Sequence, residues 1–159
     1  MTKLLDLENA IRGSFRCVTD ACHMGSFILG FCFIEWMAGY YYARQTKGED
    51  YREFVKRFLP NYDSDEMYTA LRCGLVHNFT DHGKGYDFRE DRPHNHLKRR
   101  KLEGSSQYRV VLNLSNFQKD LETAMEQLFA VLRNNPEMAM RALNRFKTAG
   151  MIVGSIETE

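Results

Sequence analysis

The chain has 159 residues, 43% of them hydrophobic and 27% charged, with a formal net charge of +1. That length suits one domain with a core of its own, and the composition excludes a disordered, collagen-like or disulfide-stapled chain. The balance also excludes a generally cationic protein, but the charge is uneven: positions 84–109 carry eight Lys/Arg against four Asp/Glu, a surplus of +4 set against −3 elsewhere. A surplus concentrated in this way marks a local contact with an anionic partner.

Leu4, Leu7, Ile11, Phe15, Val18 and Cys22 recur every three or four residues, which predicts a long amphipathic helix with Lys3, Asp6, Glu8, Arg12 and Arg16 turned away from the core. Gly25-Ser26 is the expected break, glycine ending one helix and serine capping the next. The second helix, about 27–45, is apolar nearly all round and is expected at the centre, with Gly48 closing it. Its most apolar run, 27–43, contains Glu35 and is short for a membrane span, so no membrane contact is expected. The start of the chain alternates leucines with charges and reads as no signal peptide. Cys17, Cys22, Cys32 and Cys73 form no CxxC pair and are expected as reduced core thiols of a cytoplasmic protein.

Tyr51, Phe54, Val55 and Phe58 predict a short third helix stopped by Pro60. Asp63 and Glu66 give a D-x-x-E capping signature for a fourth helix, about 64–79. After Thr80 the helical period is lost. Gly83 and Gly85 break it, and Tyr86 and Phe88 alternate with charges as in a short strand. A segment at about 95–103, a turn at Gly104-Ser105-Ser106 and the stretch 108–114 read as a β-hairpin. Ser115 with Gln118 is a second capping box, opening a helix with Leu121, Met125, Leu128 and Leu132 on one side. Asn135-Pro136 restarts the chain into a last helix bearing Met140, Leu143 and Phe146, with Gly150 after it. The expectation is one mainly α domain over 1–150, an antiparallel bundle of five or six helices with an insertion at about 83–114 that holds a small β-hairpin, and a tail at 151–159.

The fourth helix carries the chemistry. At about 100° per residue, Met67, Leu71, Leu75, Tyr68 and Phe79 share the core side, and His77 falls about 140° from Arg72. Between and just beyond those two lie Thr69, Cys73, Val76, Ala70 and Gly74, a strip of small residues suited to close approach by the same helix of a second subunit. The segment Arg72-Cys73-Gly74-Leu75-Val76-His77 is an R-x4-H spacing near the end of a helix in a small α-bundle, and in this it resembles the HEPN (higher eukaryote and prokaryote nucleotide-binding) domains. The resemblance covers about 3–135 as architecture and only Arg72 and His77 as motif residues. It implies a helical fold that dimerises through the motif helix, and metal-independent cleavage of RNA with no cofactor. It also implies, for toxin-like members, a nucleotidyltransferase partner. Two positions depart from the pattern: Cys73 stands where active members usually have a polar residue, and His77-Asn78-Phe79 lacks the tyrosine of the toxin-like group. Non-catalytic members also exist, so an RNA- or nucleotide-binding or interaction module is the alternative.

The residue types suit that chemistry. An imidazole can take the proton of a 2′-OH near neutral pH, and a guanidinium can hold the charge that gathers on the phosphate. For Arg72 a salt bridge, and for His77 a helix-end packing role, are the bland readings. Lys98, Arg99, Arg100 and Lys101 are the strongest basic cluster. They are a candidate nucleic-acid contact or, more simply, a solvated strand edge. Tyr86, Phe88 and Tyr108 lie nearby as aromatics that stack on bases if exposed. His77, His82, His94 and His96 have no tight metal-ligand spacing, and no metal is expected.

Overall fold

The computed structural model describes residues 3–78, 80, 81, 83–91, 93–101 and 106–148. The first apolar stripe folds as helix α1 (Leu4–Asp20), with Leu7, Ile11 and Val18 buried. The break comes earlier than Gly25-Ser26. Helix α2 (His23–Tyr41) takes Cys22 as its N-cap, and Ser26 lies inside its first turns, where its hydroxyl donates to the Ala21 carbonyl at 3.1 Å. Glu8, expected to face outward, is 4% exposed and paired with Arg133. The four cysteines are free thiols but not core ones. Cys17 and Cys22 are exposed, and Cys32 and Cys73 are half-buried.

Helix α2 ends at Tyr41 rather than near Gln45. Ala43 adopts φ 53°, Ala43 N donates to Tyr40 O, and Arg44 N donates to Gly39 O at 3.1 Å. This is a Schellman ending with alanine where glycine is the usual choice. Gly48 does not close α2. It opens helix α3 (Gly48–Phe58), where a Cβ would stand 2.8 Å from the Tyr68 ring. Tyr51, Phe54, Val55 and Phe58 are all buried, as their spacing requires. Helix α4 spans 64–78. Helix α5 (Leu114–Asn134) buries Phe117, Leu121, Met125, Leu128 and Leu132, and helix α6 (Pro136–Thr148) follows at once. The cap of α5 is Asn113, whose side chain accepts from Asn116 N at 3.1 Å. Ser115 instead donates to that same Asn113 oxygen. Asn113 wins because it is fully buried at the end of a strand, where its oxygen reaches the first turn.

All five other helices pack on α2. Among the described residues, none is long and apolar enough to cross a membrane. The fold is therefore mainly α, with a small three-stranded sheet in the insertion. Strand β1 (Tyr86–Arg89) runs parallel to strand β3 (Tyr108–Asn113), and strand β2 (Arg99–Lys101) pairs with β3 antiparallel, giving the order β1-β3-β2. Of the described part of the expected hairpin arm at 95–103, only β2 is strand. Glu103 and the turn residues Gly104 and Ser105 lie outside the described residues.

Three side-chain contacts fasten the sheet to the bundle. Phe88 meets Phe27 at 4.9 Å between ring centroids, and the Tyr86 hydroxyl donates to Glu66 at 2.6 Å. Third, the Tyr62 hydroxyl donates to Asp120 at 2.8 Å while standing 2.9 Å from His96 Nε2. His96 Nδ1 accepts from Asn113 N at 3.1 Å, which assigns the ring proton to Nε2.

Asp81 closes the loop before β1. Burial raises its pKa, but the N–H groups of Tyr86, Gly83 and Gly85 outweigh that and hold the carboxyl below its usual range. For Asp120, burial also raises the pKa, and hydrogen bonds from His96 and Tyr62 bring it down. A carboxylate whose folded pKa lies below its unfolded value contributes stability above the unfolded pKa and loses it as pH falls toward the folded one. The urea midpoint is accordingly expected to be flat near neutral pH and to fall below about pH 4, the ordinary carboxylate range. Asp81→Asn should lower the midpoint at pH 7 and lose that disadvantage in acid. A deficit that stays constant across the titration would show that Asp81 does not contribute in this way.

Candidate functional site

The site is built on α4, and its start is as the capping signature requires on one side only. Asp63 accepts from Asp65 N at 3.0 Å and Glu66 N at 2.9 Å, but the Glu66 carboxylate turns to Tyr86 rather than back to the cap. From Met67 to Leu75 the helix is a π-helix. Its i→i+5 hydrogen bonds widen each turn beyond that of an α-helix, so residues five apart are brought closer together round the axis. That change redraws the α-helical placement. Arg72 and His77, expected about 140° apart, are neighbours: Arg72 Nη1 stands 2.8 Å from His77 Nε2. Ala70 and Gly74, expected on the outward strip, are buried with Met67, Leu71 and Leu75.

The other side of Arg72 is held by a residue that the motif spacing does not include. Glu35, on α2, accepts from Arg72 Nε at 2.8 Å and from Arg72 Nη2 at 2.5 Å, both through its Oε2. Glu35 is the one carboxylate on α2. A lone acid on an otherwise apolar helix is the sequence signal that a counter-charge must come from elsewhere in the fold. The Arg72 side chain is 18% exposed and that of Glu35 31%. Burial works against the charged guanidinium, but Glu35 and then Cys73 outweigh it and keep Arg72 above its ordinary range. The three side chains form one chain, Glu35–Arg72–His77, from the half-buried face of α2 to exposed His77.

A guanidinium has no acceptor, so His77 Nε2 must accept, and the proton of the neutral ring sits on Nδ1. Of the five N–H donors of Arg72, two go to Glu35 and one to His77. Cys73 is a further hydrogen-bond partner of the guanidinium. Behind the chain, the Tyr51 hydroxyl is buried without a hydrogen-bond partner among the described residues, and burial, then Glu35, push its pKa well up while Arg72 opposes. Cys73 interacts with Tyr68, whose hydroxyl is raised first by burial and then by that thiol.

The basic cluster lies elsewhere. Arg99, Arg100 and Lys101 are β2 itself, all exposed at the edge of the sheet, and Lys98 precedes them. No hydrogen bond or ion pair among the described residues joins this strand to Arg72 or His77. His94 is exposed, His96 belongs to the Tyr62–Asp120 contact, and His82 lies outside the described residues. Among the described residues, no group of three His, Cys, Asp or Glu side chains is placed to hold a metal ion. A cavity of about 360 Å³ lined by Tyr42, Ala43, Arg141, Asn144, Arg145 and Thr148 lies against α6 and includes none of the site residues.

Comparison with known proteins yields no match: no family model fits the chain, no curated protein is similar to it in sequence, and no solved structure is similar to it in fold.

Proposed function

We propose that this chain is a HEPN-like, metal-independent endoribonuclease in which Arg72 and His77 are the reacting pair, with the sites of two copies brought together through α4. The observation that carries the reading is the Glu35–Arg72–His77 chain, which holds a guanidinium against an imidazole at an exposed edge of the bundle. Glu35 fixes Arg72 from behind through Nε and Nη2, and the guanidinium edge that faces His77 is the one offered to a phosphate. A phosphate that takes the Nη1 donor releases His77 Nε2. That lone pair then takes the proton of the 2′-OH, the O2′–P bond forms, and the P–O5′ bond breaks to leave a 2′,3′-cyclic phosphate. The departing 5′-oxygen needs a proton, and a second imidazole, protonated, from a partner copy supplies it. The Lys98–Lys101 cluster is assigned to the RNA backbone.

One observation favours the alternative, a non-catalytic RNA- or nucleotide-binding or interaction module. Glu35 already offsets the Arg72 charge, which weakens its hold on the dianionic phosphorane of the cleavage step. The two readings part in one assay. Labelled RNA is incubated with the protein in EDTA, beside His77→Ala, and the product ends are analysed. Cleavage to 2′,3′-cyclic phosphate ends, with a loss of at least 100-fold in the variant, is the expected result, in line with the contribution of a general base of about 10²–10⁴. Absent or His77-independent cleavage would refute the enzyme, and binding that persists without cleavage would support the module.

A further inference from the structure

The sheet register separates two sets of basic side chains that are merely consecutive in sequence. Lys101 lies opposite Tyr108, Arg100 opposite Arg109, and Arg99 opposite Val110. Residues directly opposite share a face and neighbours along a strand alternate. Arg99, Lys101 and Tyr108 therefore share one face, and Arg100 and Arg109 the other. Tyr86 and Phe88, opposite Val110 and Leu112 on β3, belong to the first face too, but they are spent on the bundle: Tyr86 is 7% exposed and Phe88 packs on Phe27. Strand β1 starts opposite Val110, so Tyr108 extends beyond it and is 61% exposed. Of the three nearby aromatics, only Tyr108 has its ring free.

Edge protection explains part of this arrangement, since a charged edge discourages pairing with another sheet. It does not explain a large exposed ring beside two cations on one face. No ion pair among the described residues involves Lys98, Arg99, Arg100 or Lys101. An anion carrying flat apolar faces satisfies the ring and the cations at once. We infer that the face formed by Arg99, Lys101 and Tyr108 binds single-stranded polynucleotide, with Tyr108 stacking on an unpaired base and the two cations on the flanking phosphates. A duplex covers its base faces and offers the ring nothing. The inference rests on the assignment of this cluster to RNA, but not on cleavage.

The test is fluorescence anisotropy on the full chain carrying His77→Ala, with a labelled oligoribonucleotide of about 12 nucleotides, within the span such surfaces cover. The same sequence is also presented as a duplex and as single-stranded DNA. The single strand is expected to bind at least tenfold tighter than the duplex. Tyr108→Ala should weaken it about tenfold, the scale of one stacked base, while Tyr108→Phe keeps the affinity. Arg99→Ala and Lys101→Ala should each reduce the salt slope by about 0.7, which Tyr108→Ala should leave unchanged. Equal binding of DNA supports the shared base-and-phosphate chemistry, and weaker binding of DNA adds a contact to the 2′-OH. Equal affinity for duplex, or a Tyr108→Ala variant that binds like its parent, overturns the inference. The far-UV spectrum of Tyr108→Ala shows whether the exposed ring was removed without unfolding. Single-strand binding without cleavage by the unmutated chain leaves this inference standing and removes the nuclease. Cleavage with hairpin variants that bind normally does the reverse.

Discussion

Glu35→Ala is expected to disable the candidate site and weaken the fold together. Removing the carboxylate leaves the mostly buried Arg72 guanidinium without its counter-charge. Breaking a fully buried pair costs about 3–5 kcal/mol, and the partial exposure here brings the expectation to about 2 kcal/mol. The same change frees Arg72 to rotate, so the proposed cleavage should fall about 100-fold, the scale of a misplaced reacting group. Glu35→Gln keeps an acceptor near Arg72 and should recover part of both losses. A double-mutant cycle with Arg72→Ala separates the pair from its surroundings, and a coupling of about 1–2 kcal/mol is expected from denaturation alone. Additive single and double variants would show that the two side chains do not support one another, whatever the chain does to RNA.

A second large effect is expected at the crossing of α2 and α5. Phe117 is fully buried, stacks at 5.7 Å on Phe27 and meets Phe31 at 5.1 Å. Gly30 lies beneath it so closely that a Cβ there would stand 2.5 Å from Phe117 Cε1 and 3.0 Å from Leu121 Cδ1. Phe117→Ala should cost about 3–5 kcal/mol by lost burial and the cavity left behind. Gly30→Ala sets two effects against each other: alanine gains up to about 1 kcal/mol of helix propensity, and overpacking costs about 1–3 kcal/mol. The contacts are with the ring of Phe117 and the end of Leu121, both fully buried with no space to swing into, so the clash should win and the variant should be destabilised. In the Phe117→Ala background the penalty should shrink or change sign. A Gly30→Ala penalty that is the same in both backgrounds would mean that the ring is not what the glycine accommodates.

The helices were legible because their signals are local. The three-four spacing of Leu7, Ile11 and Val18, the stop at Pro60, the restart at Pro136 and the Asp63 cap depend on residues within a few turns of one another. The errors fall where tertiary context decides. Ala43 ends α2 in a left-handed turn that nothing in an alanine announces. The π segment of α4 shifts hydrogen bonds by one residue, and an even spacing of 100° cannot show that shift. Arg72 and His77 were visible as a pair through their spacing. Glu35, 37 positions before Arg72, was visible only as an isolated acid, because what gives it a role is the packing of α2 on α4. Tyr62, His96 and Asp120 are unremarkable one by one and meet only when the insertion folds onto α5.

The strand order carries a consequence for how the chain is made. The central strand, β3, is the last of the three to be synthesised, so both edge strands wait for it. Until Tyr108–Asn113 leaves the ribosome, Tyr86–Arg89 has no backbone partner and Phe88 has no sheet to hold it against Phe27. The helix that follows β3 without a gap supplies Phe117 and Asp120 next. Completion of the sheet and closure of the bundle therefore belong to one late step of translation. Ribosome-stalled chains that stop before β3 should leave the β1 amides open to hydrogen exchange, and chains that include α5 should protect them.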